Sequence, residues 1–191
     1  MDKDIITIGV VTFNAFWGEK EKNLNRIKGY IEAGAKRGCD FMVFPEMALT
    51  SYDDEAYKVK PDKMQSKLAE LIPGPSTNEV AELTKKLGIY AVFGMPERDS
   101  DDSSVIYNAL AIFSPKGLEG SYRKMHLPAP EPNWATRGEH PFILQTPGPS
   151  DTISVMIPTC FPEWCVITPP WAAGLYVNCT ALANATGGLE V

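Results

Sequence analysis

Three short segments hold residues that could break a carbon–nitrogen bond. Phe44-Pro45-Glu46 offers a carboxylate, Tyr122-Arg123-Lys124-Met125-His126-Leu127 an ammonium, and Cys160-Phe161-Pro162-Glu163 a thiol. A base, a cation for an oxyanion and a sulfur nucleophile are the parts needed for hydrolysis through a covalent thioester. Taken singly, each has a plainer reading. Glu46 could be a solvated glutamate at a strand end, and Lys124 could belong to a surface basic cluster with Arg123 and His126. Phosphate binding by Arg123 and Lys124 is less favoured, because no glycine-rich loop accompanies them.

Of the four cysteines, Cys160 and Cys165 flank the Pro162-Glu163-Trp164 turn and are the better nucleophile candidates. A thiol needs a nearby cation or base to become a thiolate, and Lys124 and Glu46 could supply both if the fold joins them. Cys39 is expected beneath a helix-to-strand turn, and Cys179 packed at a strand end. Glu131, in a proline-rich loop, could be a second acid of the site, although a solvated loop residue is the simpler reading. Trp134 and Trp171 could line a pocket, though tryptophan more often simply packs.

The elements that must position these groups follow from hydrophobic pattern. Ile5 to Phe13 reads as a buried, β-branched strand. Glu19 to Lys36 reads as a helix with Leu24, Ile27, Ile31 and Ala35 on one face, ended by Gly38. Asp40 to Phe44 reads as a strand, which puts Glu46 just beyond a strand's C-terminal end, where open α/β sheets place their ligands. A second helix is expected between Pro61 and Leu71. A third runs through Leu87, with Ser76 and Glu79 as its capping box and Gly88 as its stop. Ile89 to Met95, Val105 to Phe113 and Leu118 to Met125 read as strands, the last two as a hairpin. Pro128 to Pro149 reads as a long loop with six prolines. Ile153 to Ile157 and Leu175 to Val177 complete a mixed sheet.

Composition narrows the function classes. The 191 residues suit a single domain, 1–191, with a substantial core. A net charge of −6 and the lack of a basic run argue against nucleic acid as a partner. No stretch approaches the roughly 18–20 apolar residues of a membrane helix. Met1-Asp2-Lys3-Asp4 runs into a strand without a secretory pattern, so a cytoplasmic location with free thiols is expected. Two histidines, His126 and His140, and no zinc-like spacing make a metal site unexpected.

Taken jointly, the segments resemble the nitrilase, or carbon–nitrogen hydrolase, superfamily. Phe44-Pro45-Glu46 with Leu49 and Tyr52 is similar to its glutamate motif, and Tyr122 to Leu127 to its lysine motif. Val92-Phe93-Gly94 with Glu97, and Tyr107-Asn108-Ala109, resemble the strands between them. The loop ending in Gly138, then Phe142 and Thr146-Pro147, resembles the approach to the cysteine strand. The resemblance implies a four-layer αββα sandwich with a mixed sheet, a homodimer or larger homo-oligomer, and hydrolysis of an amide, carbamoyl or nitrile substrate without metal or cofactor. Carried over by position, Glu46 is the base, Lys124 the oxyanion stabiliser and Glu131 a fourth member. Tyr52, Trp134 and His126 are candidate substrate contacts, and an acid substrate could use Arg137 or His140.

The pattern departs after Ile157. The family's cysteine position falls about where Pro158 stands, and Cys160 directly precedes Phe161-Pro162-Glu163. Pro169-Pro170 interrupts the helix that the family places next. The chain ends at Val191, where the family continues for several more elements, so either an incompletely recorded longer enzyme or a shortened relative is expected, the former being favoured. Cys160 is the best available nucleophile. The alternative function is a non-catalytic binding or assembly module.

Overall fold

Apolar runs alternating with amphipathic stretches set a strand–helix–strand order, and the chain follows it. The computed structural model describes residues 5–52, 55, 57–146, 152–156 and 175–179. β1 (Ile8–Val10) leads through α1 (Lys20–Lys36) to β2 (Phe41–Val43). A 3-10 turn at Lys60–Asp62 and the short α2 (Met64–Leu68) precede α3 (Pro75–Leu87), which feeds β3 (Tyr90–Arg98). β4 (Ile106–Ser114) and β5 (Gly117–Arg123) form a hairpin, followed by β6 (Phe142–Gln145), β7 (Thr152–Met156) and β8 (Leu175–Asn178).

Five strands form one sheet in the order β1-β2-β3-β4-β5, parallel as far as β3 and antiparallel beyond it. A second sheet, β6-β7-β8, is also mixed. The two-residue period of β3 separates the cores. Phe93 and Met95 join Leu24, Ile27 and Ile31 of α1 and Val80 of α3 on one face. Val92 joins Phe41, Leu110, Ile112 and Tyr122 against Leu144 and Val177 of the second sheet on the other. The described residues thus build an α/β fold with helix, sheet and sheet layers, three of the four layers expected.

Several expectations need correction. β1 is not a long buried strand: it is three residues at the sheet edge, with Val10 74% exposed, and among the described residues only the equally short β2 pairs with it. The second helix is split. Lys63 is extended at ψ 146°, and α2 begins where the Met64 N–H donates to Glu55 Oε2 at 2.5 Å. The cap of α3 is Gly74, not Ser76. The Gly74 N–H donates to Thr77 Oγ1 at 2.8 Å, while the Ser76 N–H and hydroxyl donate to Glu70 at 2.8 and 2.9 Å. β3 runs past Pro96 to Arg98, since the missing N–H falls on the side that β2 has already left. The proline-rich loop holds a 3-10 turn at Glu131–Asn133 and all of β6.

Among the described residues, no helix is long and apolar enough to cross a membrane.

One buried side chain ties α1 to the segment that follows Glu46. Asn23 accepts the Phe16 N–H at 2.8 Å and donates to the carbonyls of Phe16 (2.7 Å) and Leu49 (3.0 Å). Asn23→Ala leaves the buried Leu49 carbonyl unsatisfied and frees the part-buried Phe16 groups, and should lower stability by about 2 kcal/mol. Urea unfolding measures this, and a loss under about 1 kcal/mol would show that the bonds are replaceable.

Candidate active site

Glu46 is held by backbone that keeps pairing after β2 ends. The Phe44 N–H donates to Val92 O at 3.0 Å, the Gly94 N–H to Pro45 O at 3.2 Å, and the Leu49 N–H to Gly94 O at 3.1 Å. Met47 then turns the chain with φ 52°, a left-handed value unusual for a side chain of its size. The Thr50 and Ser51 N–H groups close this turn on Met47 O at 3.2 and 2.8 Å.

Lys124 follows β5, and the sheet's two-residue period separates it from Arg123. Arg123 reaches the other face, where Nη2 lies 2.8 Å from Glu97 Oε1 and the guanidinium sits 3.8 Å from the centre of the Tyr107 ring. The surface basic cluster therefore does not form: Lys124 is only 3% exposed. Its N–H donates to Asn108 O at 2.8 Å, and its carbonyl accepts the Gly138 N–H at 2.9 Å. Glu131 is likewise no solvated loop residue. The 3-10 turn at Glu131–Asn133 carries it inward, where it is buried.

These side chains converge. Lys124 Nζ lies 2.8 Å from Glu46 Oε1 and 2.5 Å from Glu131 Oε1. The Tyr52 hydroxyl donates to Glu131 Oε1 at 2.6 Å, and Asn108 Nδ2 donates to Glu46 Oε1 at 2.6 Å. Two carboxylates thus share one ammonium out of water, a placement that buried charges require. Burial, with the Glu46 charge adding to it, pushes the Glu131 carboxyl above its ordinary value, against the lowering pull of the Lys124 and Tyr52 hydrogen bonds. The third ammonium hydrogen of Lys124 has no acceptor among the described residues, which suits it to an incoming oxyanion.

The remaining expected residues fall around this centre. Trp134 is fully buried with Met47, Ile106 and Ala135, next to Tyr52 and Leu127. His126 is half-buried two residues past Lys124. Arg137 and His140 line an open cavity of about 320 Å³ with Tyr107 and Arg123, on the face of β5 away from Lys124. Cys160, Cys165, Pro158 and Trp171 lie outside the described residues. Of the two described cysteines, Cys39 packs against the α1 side of the sheet and Cys179 is buried between the sheets. Burial first, then the Glu46 charge, pushes the Cys179 thiol up to about 12, so it stays protonated at neutral pH.

Asn108 escaped the reading of the sequence as a site residue, although it lay within a motif. Its signal was chemical type: an amide between Ile106 and Phe113 in a strand otherwise fit for the core.

Residues 7–159 match the family model described as carbon-nitrogen hydrolase. The chain is 29% identical over 124 residues to a nitrilase of Pyrococcus abyssi, covering 64% of this chain and 44% of that protein. It is 36% identical over 110 residues to omega-amidase NIT2 of Danio rerio, covering 56% of this chain and 36% of that one. The chain thus aligns with less than half the length of either relative. Among solved structures, a variant of the amidase from Nesterenkonia sp. AN1 superposes with a TM-score of 0.77 at 19% identity, over 94% of this chain and 66% of that one. That structure carries the acetamide moiety of fluoroacetamide covalently at its active-site cysteine. At such identity the likeness shows the fold alone.

Proposed function

Because the chain belongs to the carbon–nitrogen hydrolase family, we propose that it hydrolyses a non-peptide amide or carbamoyl compound through a cysteine thioester. The observation that carries this reading is the buried Lys124 ammonium shared between Glu46 and Glu131. Relatives named omega-amidase support an amide as substrate, and the relative named nitrilase keeps a nitrile as the alternative. A base and a cation joined at one centre suit a thiol nucleophile, for which Cys160 is the first candidate here and Cys165 the second.

Glu46 takes the thiol proton as the sulfur bonds to the substrate carbonyl carbon. The displaced carbonyl electrons go to oxygen, and Lys124 donates to that oxyanion. Collapse of the intermediate breaks the carbon–nitrogen bond, and Glu46 returns its proton to the departing ammonia or amine. A water then gives a proton to Glu46 and its oxygen attacks the thioester, again against Lys124. The second collapse expels the sulfur, which recovers the proton, and releases the carboxylic acid. Glu131 and Tyr52 keep Lys124 aimed throughout.

Iodoacetamide labelling mapped by mass spectrometry should modify Cys160 or Cys165 faster than Cys39 and Cys179. Glu46→Gln should lower kcat by about 10³-fold or more. If neither thiol is selectively labelled and Glu46→Gln leaves hydrolysis intact, the proposal fails. The second reading, a non-catalytic binding module, is favoured by Pro158 at the position where the family carries its cysteine. Amide turnover that vanishes with Lys124→Ala would remove it.

A further inference from the structure

Nothing in the thioester scheme uses Asn108, yet it touches both charged partners. It is fully buried on β4. Its Nδ2 donates to Glu46 Oε1 at 2.6 Å, and its main-chain carbonyl accepts the Lys124 N–H at 2.8 Å. One residue therefore holds the base by its side chain and the cation by its backbone.

The amide's orientation follows from chemistry. Glu46 Oε1 already accepts the Lys124 ammonium at 2.8 Å, and a carboxylate oxygen so engaged acts as an acceptor, so nitrogen must face it. That turns Oδ1 elsewhere, where it has no hydrogen-bond partner among the described residues. A side chain kept only to fill this space would be apolar, because a buried acceptor without a partner is unfavourable. An aspartate of the same shape would place a third carboxylate around one ammonium. Asparagine is the residue of this size that donates to Glu46 without adding charge.

We infer that Asn108 is a positioning residue for the reaction proposed above, holding Glu46 in one orientation against Lys124. The inference rests on Glu46 acting as the base. Its consequences differ from those of a structural role, because they depend on charge and not on shape.

Asn108→Ala removes the donor, and Asn108→Asp keeps the shape but turns a third carboxylate toward Glu46, so both should lower kcat by about 10²-fold with KM nearly unchanged. The aspartate variant also covers the case in which alanine at this site prevents folding. Crystal structures of the full chain carrying either substitution should show the Glu46 carboxylate turned away from Lys124 Nζ, beyond the 2.8 Å of the wild type. A folded variant of either kind whose Glu46 carboxylate stays at that distance overturns the inference. Absence of amide turnover in the wild type would instead remove the proposed function, and the variant structures would still decide whether Asn108 orients Glu46.

Discussion

Lys124→Met should abolish hydrolysis and leave a protein much less stable near pH 8 than near pH 5. Methionine keeps the length of the side chain and removes the charge, so the two carboxylates of Glu46 and Glu131 lose the ammonium that each contacts within 2.8 Å. With side chains 3% and 1% exposed, neither can recruit water in its place. Removing one partner of a buried ion pair destabilises a fold by about 3–5 kcal/mol. The pH dependence follows from Glu131, whose carboxyl burial already raises above its ordinary 4.5 in the folded protein. A carboxyl raised on folding binds its proton more tightly in the native state than in the unfolded chain. Its stabilising contribution is therefore full below the unfolded value and is lost as pH climbs through the folded one. Without Lys124, the folded value moves up further and the loss extends to higher pH. Urea unfolding of wild type and variant at both pH values measures the difference, and an equal loss at both would show that the carboxylates are not the cause. In the assay, loss of the oxyanion donor should lower kcat by at least about 10²–10³-fold.

Sequence reading reached Glu46 and Lys124 because each sits beyond a strand that local pattern makes plain, Asp40 to Phe44 in one case and the hairpin of β4 and β5 in the other. Where an element is specified by its own residues, as α1 is by Leu24, Ile27, Ile31 and Gly38, expectation and structure agree closely. What stayed illegible depends on partners distant in sequence. Glu131 reads as solvated because prolines surround it, and only the Tyr52 hydroxyl and the Lys124 ammonium, brought from β5 and the turn after Glu46, make it an interior residue. Ser76 has the right spacing to Glu79 for a capping box, but a carboxylate six residues upstream, Glu70, takes its donors instead. The β-branched run from Ile5 reads as buried, yet among the described residues β1 is an edge strand with one neighbour, and Val10 stays exposed. Asn108 shows the same limit from within a strand. Its polarity was visible, whereas the partner that explains it is 62 residues away.

Gly94→Ala should cost about 3 kcal/mol of stability and lower kcat by at least about 10²-fold, although residue 94 contacts no substrate in the proposed mechanism. A Cβ there would lie 2.2 Å from the Met47 nitrogen, 2.6 Å from the Glu46 Cα and 2.7 Å from the Glu46 carbonyl carbon. All three are backbone atoms, so no rotamer change can relieve the clash. The Glu46 turn has little room to retreat. It is hydrogen-bonded to Val92 and to both backbone groups of residue 94 itself, and Met47 behind it packs on fully buried Trp134. Relief must come from displacing Glu46, and a shift of about 1 Å in a catalytic group is enough for a hundredfold loss. Gly138→Ala provides the contrast. Its Cβ would meet the Arg123 carbonyl oxygen at 2.1 Å, an even closer approach, but residue 138 lies on a half-buried loop that can move outward. That variant should lose activity through the Lys124 carbonyl it no longer anchors while keeping more of its stability. Unfolding curves and kcat for both variants separate the effects. A folded Gly94→Ala protein with wild-type kcat would show that the turn yields, and that the precision of the base is set elsewhere than in the close packing of β3 against Glu46.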